Sequence, residues 1–135
     1  MLSPMTTPQK PTASELGILH VLWERGPSTV REVHDALSEK KDLGYTTVLK
    51  LMQIMTSKGL VRRDEHQRAH VYEACLPAEK TKRQLVEDTL ERVFEGSASQ
   101  LMMHALASHR SSREEIAELR RLLDEHERNS DDPPR

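Results

Sequence analysis

The chain has 135 residues, of which 36% are hydrophobic, 31% charged and only 3% aromatic, with a formal net charge of −2. That balance fits one compact domain plus a small appendage, and a chain this polar often completes its core with another subunit. No stretch of about 18 apolar residues is present to span a membrane. Residues 1–10 lack the apolar stretch of a secretion signal, and Cys75, the single cysteine, forms neither an internal disulfide nor a cysteine metal cluster. The expected home is the cytoplasm, without membrane insertion.

Residues 1–10 and 129–135 are rich in Pro, Thr, Ser and Asp and are expected to be disordered ends. Thr12-Ala13-Ser14-Glu15 is a capping box that opens a first helix, with Leu16, Leu19, Val21, Leu22 and Trp23 on its apolar face. Gly26-Pro27 stops it. Thr29-Val30-Arg31-Glu32 repeats the box and opens a second helix carrying Val30, Val33, Ala36 and Leu37 at helical spacing. Asp42-Leu43-Gly44 breaks the chain, and a third helix is predicted over residues 46–58, capped by Gly59.

The periodicity then changes. Residues 60–63 and 69–74 are β-prone runs around a polar tip at 64–68, which makes a hairpin. Pro77 lies early in a fourth helix that reaches about residue 95. Gly96-Ser97 opens a fifth helix to residue 108, and the box Ser112-Arg113-Glu114-Glu115 opens a sixth over 113–128. The expected fold is mainly α with a small β-hairpin. It comprises a winged helix-turn-helix domain over 11–76 and a helical dimerisation region over 77–128.

Charge is unevenly spread along this order. Residues 1–83 hold 13 basic and 10 acidic side chains, a net +3, whereas residues 84–135 hold 7 and 12, a net −5. On the third helix Val48, Leu51, Met52 and Met55 recur at buried-stripe spacing. The opposite side carries Thr46, Thr47, Lys50, Gln53 and Ser57. Of these, Thr46, Thr47, Lys50 and Gln53 are the candidate DNA base contacts, because Gln suits adenine, Lys suits guanine and a Thr methyl suits thymine. Lys58, Arg62, Arg63, His66 and Arg68 are the candidate phosphate contacts. Ile54 lies near the same side, beside Lys50 and Gln53.

Several stretches together resemble the penicillinase-repressor (BlaI/MecI/CopY) family. They are residues 15–23, Thr29-Val30-Arg31-Glu32-Val33, Tyr45-Thr46-Thr47-Val48, Lys58-Gly59-Leu60-Val61, Val71-Tyr72, Phe94-Glu95-Gly96-Ser97, Leu101 and residues 114–123. The resemblance covers residues 12–126. It implies a dimeric bacterial repressor whose winged helix binds a palindromic double-stranded operator and whose C-terminal helices form the homodimer. It further implies relief by proteolysis in those helices, triggered by a membrane sensor-protease that acts as an indirect regulator. Family members are cleaved at an Asn-Phe bond, and the matching residues here are His104 and Ala105. Copper-responsive relatives carry a Cys-x-Cys cluster, which this chain lacks. Position 54, commonly basic in the resistance repressors, is Ile54 here, a departure that bears on the operator sequence.

The C-terminal helices carry narrow apolar stripes that two copies can share: Leu90, Val93 and Phe94; Leu101, Met102 and Leu106; Ile116, Leu119, Leu122 and Leu123. Two-fold proteins read two half-sites, which favours the homodimer over helices that fold back on their own winged helix. His66 and His70 flank a hairpin tip, and His104 and His109 have no third ligand, so no metal and no cofactor is expected. Cys75 sits between Ala74 and Leu76 and reads as a structural residue. No nucleophile elbow, phosphate-binding loop or zinc-protease motif is present, so the chain is not expected to be an enzyme. Two other readings compete: a winged helix that binds protein, and a regulator that senses a small ligand between domains.

Overall fold

The computed structural model describes residues 10–66 and 68–130; the ends expected over 1–9 and 131–135 lie outside the described residues. The elements are α1 (Ala13–Arg25), α2 (Val30–Leu37), α3 (Tyr45–Lys58), β1 (Val61–Asp64), β2 (Val71–Ala74), α4 (Ala78–Arg92), α5 (Ala98–Ser108) and α6 (Arg113–Asn129). This is the mainly helical, hairpin-bearing order of a winged helix-turn-helix protein. The described chain forms two compact units that divide between Glu87 and Asp88, inside α4. The boundary expected at 76/77 falls at the start of that helix. The first turn of α4 belongs with the winged helix, because Thr81 is 6% exposed there and the Trp23 indole N–H donates to Leu76 O at 3.0 Å.

Both N-terminal capping boxes form. Thr12 Oγ1 accepts from Glu15 N while the Glu15 carboxylate accepts from Thr12 N, and Thr29 and Glu32 repeat the exchange at α2. These reciprocal bonds satisfy orphan N–H groups at each helix start. The buried faces of α1 (Ile18, Leu19, Leu22), α2 (Val30, Val33, Leu37) and α3 (Val48, Met52, Met55) meet in one core with Leu60, Val61 and Tyr72. Ile18, absent from the expected α1 face, is fully buried. Leu51 is only half-buried and packs at the rim of this core beside Leu49.

Gly59 ends α3 at φ 83°, ψ 13°, and Leu60 N closes back on Met55 O at 2.9 Å. That left-handed cap turns the chain directly into β1. The hairpin is antiparallel, with Val61 opposite Ala74 and Arg63 opposite Tyr72. Ser28 adds an isolated antiparallel bridge to β2 that periodicity does not reveal. Its N–H donates to Tyr72 O at 2.9 Å, and Tyr72 N donates to Ser28 O at 2.8 Å. The wing is thereby tied to the α1–α2 connection as well as to α3.

In the second unit, α4 ends at Arg92, short of the expected residue 95, because Glu95 (φ 50°) and Gly96 (φ 84°) both turn left-handed. Gly96 N donates to Leu90 O at 2.9 Å. Ser97 caps α5 by accepting from Gln100 N, and Phe94 packs against the His104 ring at 5.4 Å. At α6 Ser112 Oγ accepts from Glu115 N at 3.0 Å. This helix runs to Asn129, into the segment expected as tail.

Candidate nucleic-acid interface

α3 divides sharply between its two sides. Val48, Met52 and Met55 are all 0% exposed, which holds the helix against α1 and α2. Thr46, Thr47, Lys50, Gln53 and Ser57 are exposed on the outer side. Among the described residues, the side chains of Thr46, Thr47, Lys50 and Gln53 have no hydrogen-bond or ion-pair partner, so their donors and acceptors are free for a ligand. Ile54 shares this face at 40% exposure. Such a surface offers small polar groups, one cation and one methyl-rich contact, a combination suited to base edges in a major groove.

The expected phosphate contacts divide into three cases. Lys58 does not point into solvent. Its ammonium lies 2.7 Å from Glu15 Oε1, and the two side chains are 17% and 3% exposed. Burial pushes the Glu15 carboxyl up, but the Lys58 ammonium and the Thr12 backbone N–H outweigh it and hold the group below its ordinary value. The reason is tertiary: α1 brings a buried carboxylate to the last turn of α3, and a buried carboxylate takes the nearest cation.

On the wing the arginines are exposed but paired. Arg62 reaches Glu73 across the hairpin at 2.8 Å, and Arg63 Nε donates to Glu65 at 2.8 Å. Tyr72 and Glu65 together hold the Arg63 guanidinium above its ordinary range. His66 Nδ1 lies 2.8 Å from Asp64 Oδ1, which also accepts the His66 N–H. Those hydrogen bonds lower the Asp64 carboxyl. Exposed pairs of this kind are worth about 0–1 kcal/mol, so a phosphate exchanges readily for the carboxylate. Arg68 is exposed, and no ion pair engages it among the described residues.

Sequence reasoning missed a cluster at the leading end of α3. Tyr45, 40% exposed, lies under the Arg31 guanidinium at 5.0 Å from its ring centroid. The His34 ring meets it edge-on at 6.0 Å. His34 Nε2 donates to Leu43 O at 2.9 Å, pinning the turn between α2 and α3. Arg31 and His34 are three residues apart and share one face of α2. That spacing, set before the first aromatic of α3, was the only available signal.

The C-terminal helices carry apolar side chains that their own unit does not cover. α5 and α6 have no buried residue. Leu90, Phe94, Leu101, Ile116 and Leu119 are half-buried, whereas Val93, Met102, Leu106, Leu122 and Leu123 are exposed, Val93 by 65%. Among the described residues no set of His, Cys, Asp and Glu side chains is arranged to hold a metal ion, and no helix is long and apolar enough to cross a membrane.

The family model for the penicillinase repressor matches residues 11–125, which take in the winged helix and the C-terminal helices alike. The chain belongs to the penicillinase repressor family. Among its relatives is the transcriptional regulator BlaI of Mycobacterium tuberculosis, 35% identical over 113 residues that cover 82% of this chain and 80% of that protein. The penicillinase repressor of Bacillus licheniformis is 24% identical, with 84% and 88% covered. The methicillin resistance regulatory protein MecI of Staphylococcus aureus is 19% identical, with 83% and 91% covered. Penicillinase repressors are transcriptional regulators and not enzymes.

Proposed function

We propose that this protein is a homodimeric repressor that binds a palindromic operator. The carrying observation is the outer face of α3, where Thr46, Thr47, Lys50 and Gln53 stand exposed and unpartnered above three fully buried anchors. In this reading α3 enters the major groove and the wing arginines and Arg68 lie along the phosphates. The uncovered stripes of α5 and α6 meet a second copy, which sets two reading helices at half-site spacing. The net +3 of the first 83 residues and the net −5 of the remainder support DNA contact at one end only.

Release follows from signal-triggered proteolysis in the C-terminal helices, set off by a membrane sensor-protease. The residues of α5 around His104 and Ala105 are exposed, and loss of the downstream helices separates the two reading heads.

The test is a fluorescence-anisotropy titration of the purified protein. One duplex comes from directly upstream of its own gene and the other is scrambled, each at two salt concentrations, with sedimentation run in parallel. Selective binding by a dimer that weakens steeply with salt is the expected result. A protein that sediments as a monomer refutes the dimer, and equal, weak binding to both duplexes followed by a genome-wide pull-down that enriches no DNA site refutes the operator reading.

A further inference from the structure

The geometry points to a phosphodiester clamp formed by Arg31 of α2 and Tyr45 of α3, a DNA contact outside the reading face and the wing; it rests on the DNA-binding reading proposed above. Arg31 is exposed and stacks on the Tyr45 ring at 5.0 Å. No carboxylate claims it among the described residues. Its neighbour Glu32 is committed to the Thr29 backbone N–H at 2.9 Å in the α2 capping box. Three of the expected phosphate contacts differ from it, since Lys58 is held by Glu15, Arg62 by Glu73 and Arg63 by Glu65, whereas Lys50 and Arg68 share its lack of a carboxylate partner among the described residues. Arg31 is therefore a cation whose charge the fold leaves uncompensated.

Stacking decides what the guanidinium can do. The ring face below attracts the cation and narrows its range, and its N–H groups, which no carboxylate engages among the described residues, match the oxygens of a phosphate. The ring is itself held in place. His34 packs edge-on against it at 6.0 Å and fixes the turn by donating to Leu43 O at 2.9 Å. Tyr45 directly precedes Thr46 and Thr47, so a backbone gripped here belongs to the same half-site that α3 reads. The Tyr45 hydroxyl supplies a second donor to that strand.

The test uses the full-length protein, the upstream and scrambled duplexes, and a salt series from 50 to 200 mM. Arg31→Met is expected to weaken both duplexes by a similar factor. It should also lower the slope of log K against log salt by about 0.9 per subunit, which is roughly a threefold change in the 50-to-200 mM affinity ratio for each clamp. Arg31→Lys keeps the charge but loses the planar stack, so the slope is retained while affinity falls. Tyr45→Phe keeps the stack and loses the second donor, giving a smaller loss with the slope unchanged. Thermal melts of each variant verify that the exposed substitutions leave the fold intact. An Arg31→Met protein with wild-type affinity and slope overturns the clamp while leaving the operator reading standing. A wild-type protein that binds neither duplex overturns both.

Discussion

Lys58→Met removes the one cation paired with Glu15, and its cost can be worked from the structure. Glu15 is 2% exposed, so its carboxylate is left in the domain interior with only the Thr12 N–H bond at 2.9 Å. Breaking a buried pair by removing one partner costs about 3–5 kcal/mol. The remaining Thr12 bond and the partial solvent access on the Lys58 side, 17% exposed, place this case near 3 kcal/mol. Glu15→Gln is milder, about 1–2 kcal/mol, because the flexible Lys58 stem swings its charge into water and the amide oxygen still accepts from Thr12.

The pH dependence has a definite sign. Glu15 in the native protein is held below its ordinary value of 4.5. The pair's contribution is therefore fully present above about pH 4.5 and is lost as pH falls through the lower folded-state value. In Lys58→Met the unpaired carboxyl takes up a proton as pH falls, which relieves the cost, so wild type and variant converge in acid. Urea unfolding followed by Trp23 fluorescence, at pH 7 and again below pH 4, reads this directly, since Trp23 is the only tryptophan and lies in the same unit. A deficit near 3 kcal/mol lowers Tm by about 10–25 °C for a domain of this size. Equal costs for Lys58→Met and Glu15→Gln at pH 7, or a Lys58→Met deficit that persists in acid, would refute the assignment of Lys58 to the fold.

Leu119→Asp, placed midway along the α6 stripe, is expected to shift sedimentation toward monomer and weaken operator binding together; a variant that stays dimeric and binds normally removes Leu119 from the interface. Gly59→Ala forces an L side chain into the left-handed cap at φ 83° and should cost about 1–2 kcal/mol in denaturant melts, and no loss would mean that the cap relaxes freely. Lys50→Ala should lose about 1–3 kcal/mol of operator affinity and relax sequence preference, whereas Arg68→Ala should weaken all duplexes alike. Competition titrations separate the two, and an unchanged Lys50→Ala curve excludes it as a base reader.

Local chemistry was legible in the chain because its causes lie within a turn or two of helix. The boxes Thr12–Glu15 and Thr29–Glu32 name helix starts, Gly59 names an end, and the Val48, Leu51, Met52 and Met55 spacing names the inward side of α3, with Leu51 only half-buried at its rim, leaving Thr46, Thr47, Lys50 and Gln53 outward. The uncovered stripes of α5 and α6 follow from the same periodicity. Pairings between distant elements were decided only by how the helices cross. Ser28 joins Tyr72 in an isolated bridge, Arg31 comes to lie over Tyr45, and Lys58 turns inward to Glu15, 43 residues away in sequence. A lysine at the end of a reading helix looks the same in sequence whether it faces a phosphate or a carboxylate. Which one it meets depends on the burial of α1 against α3, because an unpaired charge in the interior costs more than the contact it forgoes outside.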